Sequence, residues 1–209
     1  MFKKLIEFLI RNLSGKKPVD PVKEPIVEPP KPVIEPPKEI TPMESNFDKS
    51  LGLILEFEGG FVNDPADRGG ATNFGVIQKR YDEYRDSVGK PRQSVEFISK
   101  DEVKEIYYKY YWQAAKCDQL PVGLDTLHFD AAVNTGPTQA AKFLQRALGV
   151  DADGVIGTKT IEAANNADIA VIKRNYVTKR ADFYVDLVIK DITQLKFLKG
   201  WIRRTLYFV

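Results

Sequence analysis

Glu58 is followed directly by Gly59 and Gly60 and then by a polar run, FVNDPADRGGATNFG, that carries Asp64, Asp67, Thr72 and Asn73. An acid beside a loop of carboxylates, hydroxyls and amides is an arrangement able to cleave a glycosidic bond. That reaction uses two carboxyl groups flanking the scissile bond. One gives its proton to the leaving oxygen, and the other acts as nucleophile, base or stabiliser of an oxocarbenium-like transition state. Phe47, Leu51, Ile54 and Leu55 precede the acid at helical spacing, and Glu58 lies seven residues after Leu51 on the same stripe. Burial disfavours the ionised form of a carboxyl group, so the position suits a proton donor. Gly59 fits the helix stop. The same spacing equally allows Glu58 to lie over a fraying helix end, or to pair with Arg68 or Lys79.

The loop supplies the partners. Asp67 is the candidate second carboxylate, whereas Asp64, in Asn-Asp-Pro, suits the capping of a turn more than catalysis. Gly69, Gly70 and Gly75 let the backbone lie close to a ligand. Thr72 and Asn73 offer a hydroxyl and an amide to hold a water or a sugar.

The run EGGFVNDPADRGGATNFG, Glu58 to Gly75, resembles the signature of glycoside hydrolase family 108, whose usual wording is EGGY followed by VNDP and GGATN. The spacing of Glu58, Asp67 and Thr72 is also similar to the Glu, Asp, Thr arrangement of phage lysozymes, which implies that Glu58 is the acid and that Asp67 and Thr72 handle the water or the intermediate. Phe61 stands where the family has Tyr, which removes a hydroxyl and keeps an aromatic wall. Further on, FDAAVNTGPTQAAKFLQRALG, VDADGVIGTKTIEAAN and FLKGWIRR resemble the predicted peptidoglycan-binding domain that follows the catalytic segment in these enzymes. The family likeness runs from Asn46 to Arg204. It implies hydrolysis of the bond between N-acetylmuramic acid and N-acetylglucosamine, without metal or cofactor, in a lysozyme-like fold. The fold class is therefore mainly α with α+β lysozyme-like character: a helical catalytic domain with a small loop or hairpin region, preceded by an extended Pro-rich tail. Asp64, Asn73, Phe61, Tyr111, Trp112 and Asn134 are the candidate sugar contacts.

Four segments follow from the text: an amphipathic N-terminal helix (1–15), a Pro-rich linker (16–45), a catalytic segment (46–120) and a peptidoglycan-binding helical segment (121–209). Phe2, Leu5, Ile6, Leu9, Ile10 and Leu13 share one helical face, with Glu7 and Arg11 interrupting the apolar run. Crossing a bilayer takes roughly 20 apolar residues, so this reads as an interfacial helix, not a span. It also reads poorly as a secretion signal, since no small-residue cleavage pattern follows it. Nine of the 13 prolines fall between Pro18 and Pro42, which predicts a polyproline II spacer. Its expected reach is on the order of 75 Å. The tail is expected to meet a membrane surface, or a phage virion or envelope protein.

A formal net charge of +2 on 209 residues gives no reason to invoke nucleic acid. The one cysteine, Cys117, excludes an internal disulfide and suits a small core residue. The one histidine, His128, argues against a histidine-based triad or zinc site and reads as a partly exposed structural residue. Ser99 and Glu102 form a capping box before a helix ending near Trp112. Its aromatics, Tyr107 to Trp112, are too many to be all core, and one or two could stack on sugars. Leu124 to Asn134 suits a buried helix with Asp130 and Asn134 as polar exceptions. Pro137 and Gly149 bracket the next helix. Asp151 to Glu162 has acids at places of a calcium loop, but Val155 and Ile156 stand where a ligand and a glycine belong, so a plain turn is expected before a helix from Thr158. A long helix from Asp168 to about Lys190 follows. In the last segment, Trp201 lies beside Lys199, Arg203 and Arg204, which either meet wall carboxylates or cover the core.

The expected setting is synthesis in a bacterial cytoplasm and action on the wall in the periplasm, as a phage endolysin or a virion-associated enzyme. Two other readings fit the residues: a lytic transglycosylase, in which the sugar's own hydroxyl attacks, and a wall-binding structural protein tethered by its tail.

Overall fold

Ser45 opens the first helix of the folded body: its hydroxyl accepts the Asp48 N–H at 3.2 Å and starts α1, Asn46–Leu55. The computed structural model describes residues 45–62 and 70–208. The expected N-terminal helix, the Pro-rich spacer up to residue 44, Asp64 and Asp67 lie outside the described residues. Phe47, Leu51 and Ile54 are buried, as their spacing predicts. The helix stops earlier than Gly59 suggests. Its last residue is Leu55, and the Phe57 N–H closes a turn onto the Ile54 carbonyl at 3.0 Å, so Glu58 stands beyond the helix end.

A two-stranded antiparallel hairpin follows, β1 (Thr72–Asn73) and β2 (Val76–Ile77), with Thr72 opposite Ile77 and Asn73 opposite Val76. Its two turn residues, Phe74 and Gly75, both have positive φ, 49° and 73°, as the tightest hairpin turn requires. α2 (Gln78–Ser87) leads to a 3₁₀ turn at Val95–Phe97 and then to α3 (Lys100–Tyr107). The Ser99/Glu102 capping box is formed in full. Glu102 also accepts from Tyr81 at 2.7 Å and Arg85 at 2.8 Å, which ties α2 to α3. Burial pushes its carboxyl up, yet Tyr81, the Ser99 N–H and Lys90 together hold it below the usual carboxylate range. α3 widens into a π-helical turn, Tyr108–Gln113, so its aromatics point in more directions than one α-helical face would allow.

The remaining helices are α4 (Leu124–Thr135), α5 (Pro137–Leu148), α6 (Thr158–Asn165), α7 (Ile169–Lys190) and α8 (Leu195–Leu206). Pro137 at the start of α5, Gly149 at its end in the left-handed conformation, and Asp168 capping α7 match the sequence reading. The turn between Gly154 and Gly157 also precedes α6 as expected. α4 is buried nearly all round, which makes it the axis of the molecule. Phe129 at its centre meets Trp112 at 5.2 Å, Phe47 at 5.8 Å and Tyr107 at 6.3 Å between ring centroids. α5, α7 and α8 pack in succession on its other side. The described residues fall within one compact unit. Among the described residues the fold is thus mainly helical with one small hairpin.

His128 departs from expectation, because it is wholly buried rather than partly exposed. Its Nδ1 lies 2.9 Å from the Tyr176 hydroxyl. Burial pushes its pKa down to about 4. The folded value lies below the unfolded one, so the folded state binds fewer protons between about pH 6.5 and 4 and stability is lost as pH falls through that window. Thermal melts across the window are expected to show a loss of about 3 kcal/mol from this residue, an order-of-magnitude figure from 1.36 kcal/mol per pK unit. A His128→Gln variant should flatten that part of the profile; an unchanged slope would contradict the assignment.

Candidate active site

Glu58 lies at one end of an open cleft of about 600 Å³ between α1 and α3. Gly59, Gly60 and Phe74 share its end of the cleft, Leu51, Leu55 and Val103 supply apolar wall, and the Asp48–Lys104 ion pair, 2.5 Å, lies farther along. The Glu58 side chain keeps 18% of its surface exposed, enough for a substrate oxygen to reach it.

Each carboxylate oxygen has its own surroundings. Oε1 accepts from Arg204 Nη1 at 2.8 Å. Oε2 lies against the backbone of Gly75: a Cβ placed there would stand 2.6 Å from Oε2 and 2.6 Å from the Tyr107 hydroxyl. That hydroxyl donates to the Phe74 carbonyl at 2.9 Å and so pins the hairpin turn beside the acid. Burial, and then the charge on Glu58, push the Tyr107 phenol well above its usual range, so it remains a donor. Glu58 is therefore ion-paired, and not with Lys79, one of the two partners the spacing allowed. It is also not an isolated acid on an apolar stripe, because the chain has left the helix before reaching it.

Gly75 is where backbone conformation and close approach coincide. Gly75→Ala would place a side chain at φ +73° and drive its methyl into Glu58. The expected cost is about 1–2 kcal/mol of stability for the left-handed backbone. Displacing the acid by roughly 1 Å should lower turnover about 100-fold. A melt and a turnover assay check both, and native turnover in this variant would show that Glu58 tolerates displacement.

Thr72 pairs with Val62 through two backbone hydrogen bonds of 2.8 Å each. Its hydroxyl donates to the Gly70 carbonyl at 3.4 Å. The other candidate sugar contacts divide. Phe61 is exposed at the loop base, and Tyr111 is half-buried, its phenol pushed up by burial and partly restored by Arg80. Asn73 is buried, and its amide nitrogen donates to the Val95 and Glu96 carbonyls at 3.2 and 3.1 Å, fastening the hairpin to the 3₁₀ turn. Trp112 is core, in edge contact with Phe47 and Phe129. Asn134 accepts from the Tyr184 hydroxyl. Asn73 and Trp112 are committed to the protein's own framework rather than to an open sugar face, whereas Asn134 is half-buried with its side-chain oxygen engaged.

The sequence alone does not decide Arg204 between wall and core and singles out no role for Arg180. Arg204 serves neither end: with Nη1 on Glu58, it places Nε on Asp130 Oδ1 at 2.7 Å. Asp130 Oδ2 accepts from Arg180 Nη1 at 2.6 Å, and both side chains are fully buried. A signal for Arg180 existed, since Ile172, Tyr176, Arg180, Tyr184 and Val188 recur every four residues along α7 and all are buried. A charge in register with that stripe requires a buried counter-charge, and Asp130, the polar exception of α4, is that group.

The glycosyl hydrolase 108 pattern matches residues 51–136, and the pattern described as a predicted peptidoglycan domain matches residues 139–206. Among solved structures, SagA of Brucella abortus is similar: 31% identical over 78% of this chain and 94% of that one, with a TM-score of 0.63. The chain belongs to the glycosyl hydrolase 108 family. No curated protein matches it. This family 108 chain is a glycoside hydrolase of lysozyme type, and its second matched region makes peptidoglycan its partner. The seam between the two matched regions falls at the junction of α4 and α5. Glu58 and Asp130 lie on the hydrolase side of that seam, Arg180 and Arg204 on the other.

Proposed function

We propose that the chain is an N-acetylmuramidase that hydrolyses the bond between N-acetylmuramic acid and N-acetylglucosamine in peptidoglycan. Glu58 gives its proton to the leaving sugar oxygen as the glycosidic C–O bond breaks. Asp67, with Thr72, supports the developing positive charge and the water that adds to the sugar carbon. The observation that carries this reading is Glu58 itself: a partly exposed acid at the end of a cleft, held on one side by Arg204 and on the other by the backbone of Gly75. The role of Asp67 rests on the family signature, in which it follows Glu58 by nine residues and precedes Thr72 by five. A phage endolysin or virion-associated enzyme acting on the wall from the periplasmic side is the setting that suits this activity. In that setting the amphipathic N-terminal segment, residues 1–15, meets a membrane surface or a virion or envelope partner.

The test is end-group chemistry. Purified peptidoglycan is digested, the products are reduced with borohydride, and the fragments are identified by mass spectrometry. New reducing N-acetylmuramic acid ends support the proposal. Reducing N-acetylglucosamine ends would place the cut at the other glycosidic bond, and anhydro ends would make the enzyme a lytic transglycosylase.

A further inference from the structure

The acid of a glycosidase is neutral before its proton moves and anionic afterwards. A cation held beside it interacts weakly with the first form and strongly with the second, so its contribution grows toward the transition state. Arg204 meets this description. Its Nη1 is 2.8 Å from Glu58 Oε1, and its Nε is 2.7 Å from Asp130 Oδ1. Behind Asp130 stands Arg180 at 2.6 Å, whose Nε donates to the Tyr184 hydroxyl at 3.0 Å, and that hydroxyl donates onward to Asn134. Arg204 is thereby fixed from the protein interior, and its guanidinium also lies over the Phe57 ring at 5.3 Å. Burial works against its charge, yet Asp130 and Glu58 more than offset it and hold the guanidinium in the charged form.

Two observations separate this network from simple packing. Arg180 Nη2 and Arg204 Nη2 are buried with no hydrogen-bond partner among the described residues. Unpaired buried donors are a net cost, and buried ion pairs are in any case weak contributors to stability compared with apolar packing. The network also crosses the seam between the two matched regions, ending on the acid at one side and on α7 and α8 at the other.

We infer that Arg204 is a positioning residue of the reaction, locked by Asp130 and Arg180 so that it stabilises the carboxylate Glu58 becomes as its proton leaves. The C-terminal region then completes the active site as well as contacting the wall. This rests on the reading of Glu58 as the proton donor. The other groups facing the acid are the Tyr107 hydroxyl from α3 and Tyr111 from the π-helical turn, both with phenols pushed above their usual range. Asp48, Lys100, Asp101 and Lys104 line the same cleft, with Asp48 and Lys104 paired to each other. Among the described residues, Arg204 is the cation ion-paired to Glu58.

The test compares kcat and KM of native enzyme, Arg204→Gln and Arg204→Lys on soluble peptidoglycan fragments, with a melt of each to confirm folding. Removing the charge is expected to lower kcat about 10- to 100-fold at little change in KM. Arg204→Lys should restore much of the rate. A folded Arg204→Gln with native kcat would overturn the inference, as would a rate loss that only tracks the unfolded fraction or one carried by KM alone. If Arg204→Gln does not fold, Arg204→Lys decides. Turnover within about tenfold of native supports the role, since lysine keeps the charge and loses the fork. Turnover as low as that of Glu58→Gln overturns it. Native-like activity in Glu58→Gln would instead sink the reading of Glu58, whereas an inactive Glu58→Gln beside a native-like Arg204→Gln would sink this inference alone.

Discussion

Asp130→Asn is expected to cost about 3–5 kcal/mol of folding stability, the usual penalty for removing one partner of a buried ion pair. Asp130 is fully buried and accepts from two arginines, Arg180 at 2.6 Å and Arg204 at 2.7 Å. The amide keeps the shape but neutralises the charge, and one of its two oxygens becomes a donor that faces a guanidinium. Arg204 retains Glu58, whereas Arg180 is left charged inside the protein with the Tyr184 hydroxyl as its remaining partner. For a body of this size the melting temperature should fall by roughly 10 °C or more. Pairing the change with Arg180→Met should recover part of the loss, because an apolar pair leaves no buried charge uncompensated. A melt of Asp130→Asn within a degree or two of native would contradict the picture of Asp130 as the hub that joins α4 to α7 and α8.

Glu58→Gln is expected to lower turnover by about 100- to 10,000-fold, the usual contribution of a positioned general acid. Glutamine fills the same space beside Gly75 and can still accept from Arg204 through its carbonyl oxygen, so binding to peptidoglycan and the melting curve should stay close to native. What it lacks is a proton to give. This separates it from Gly75→Ala, which disturbs both the backbone and the acid, and from Asp130→Asn, whose main effect is on stability.

Much of the fold was legible because local signals agreed with one another. The Ser99/Glu102 capping box, Gly149 after α5 and Asp168 before α7 each mark an element boundary by a backbone hydrogen bond that must be satisfied, Pro137 marks the start of α5 by having no N–H to satisfy, and each is where the structure has it. The boundary that misled was α1. Gly59 looks like its stop, yet the helix ends at Leu55, and the apolar stripe that places Glu58 on a buried face no longer applies. Asn73 and Trp112 look like sugar contacts by residue type, and their type does not reveal that the Val95 and Glu96 carbonyls or the Phe129 ring already engage them. Arg204 shows the deeper limit. Its partners, Glu58 and Asp130, lie 146 and 74 residues away in the chain, and no local periodicity encodes a contact of that range. Only its sequel could be read locally: the polar Asp130 in an otherwise buried helix and the charged Arg180 on a buried stripe each demand a partner, and together they are each other's.

The most direct measurement is the rate at which new reducing N-acetylmuramic acid ends appear when purified peptidoglycan is treated with the native protein and, in parallel, with folded Glu58→Gln. Rapid release by the native protein and loss of that release in the variant, with sacculi still bound by both, is the result expected of an enzyme whose acid is Glu58. Equal release by the two proteins, or binding by both with release by neither, would contradict it.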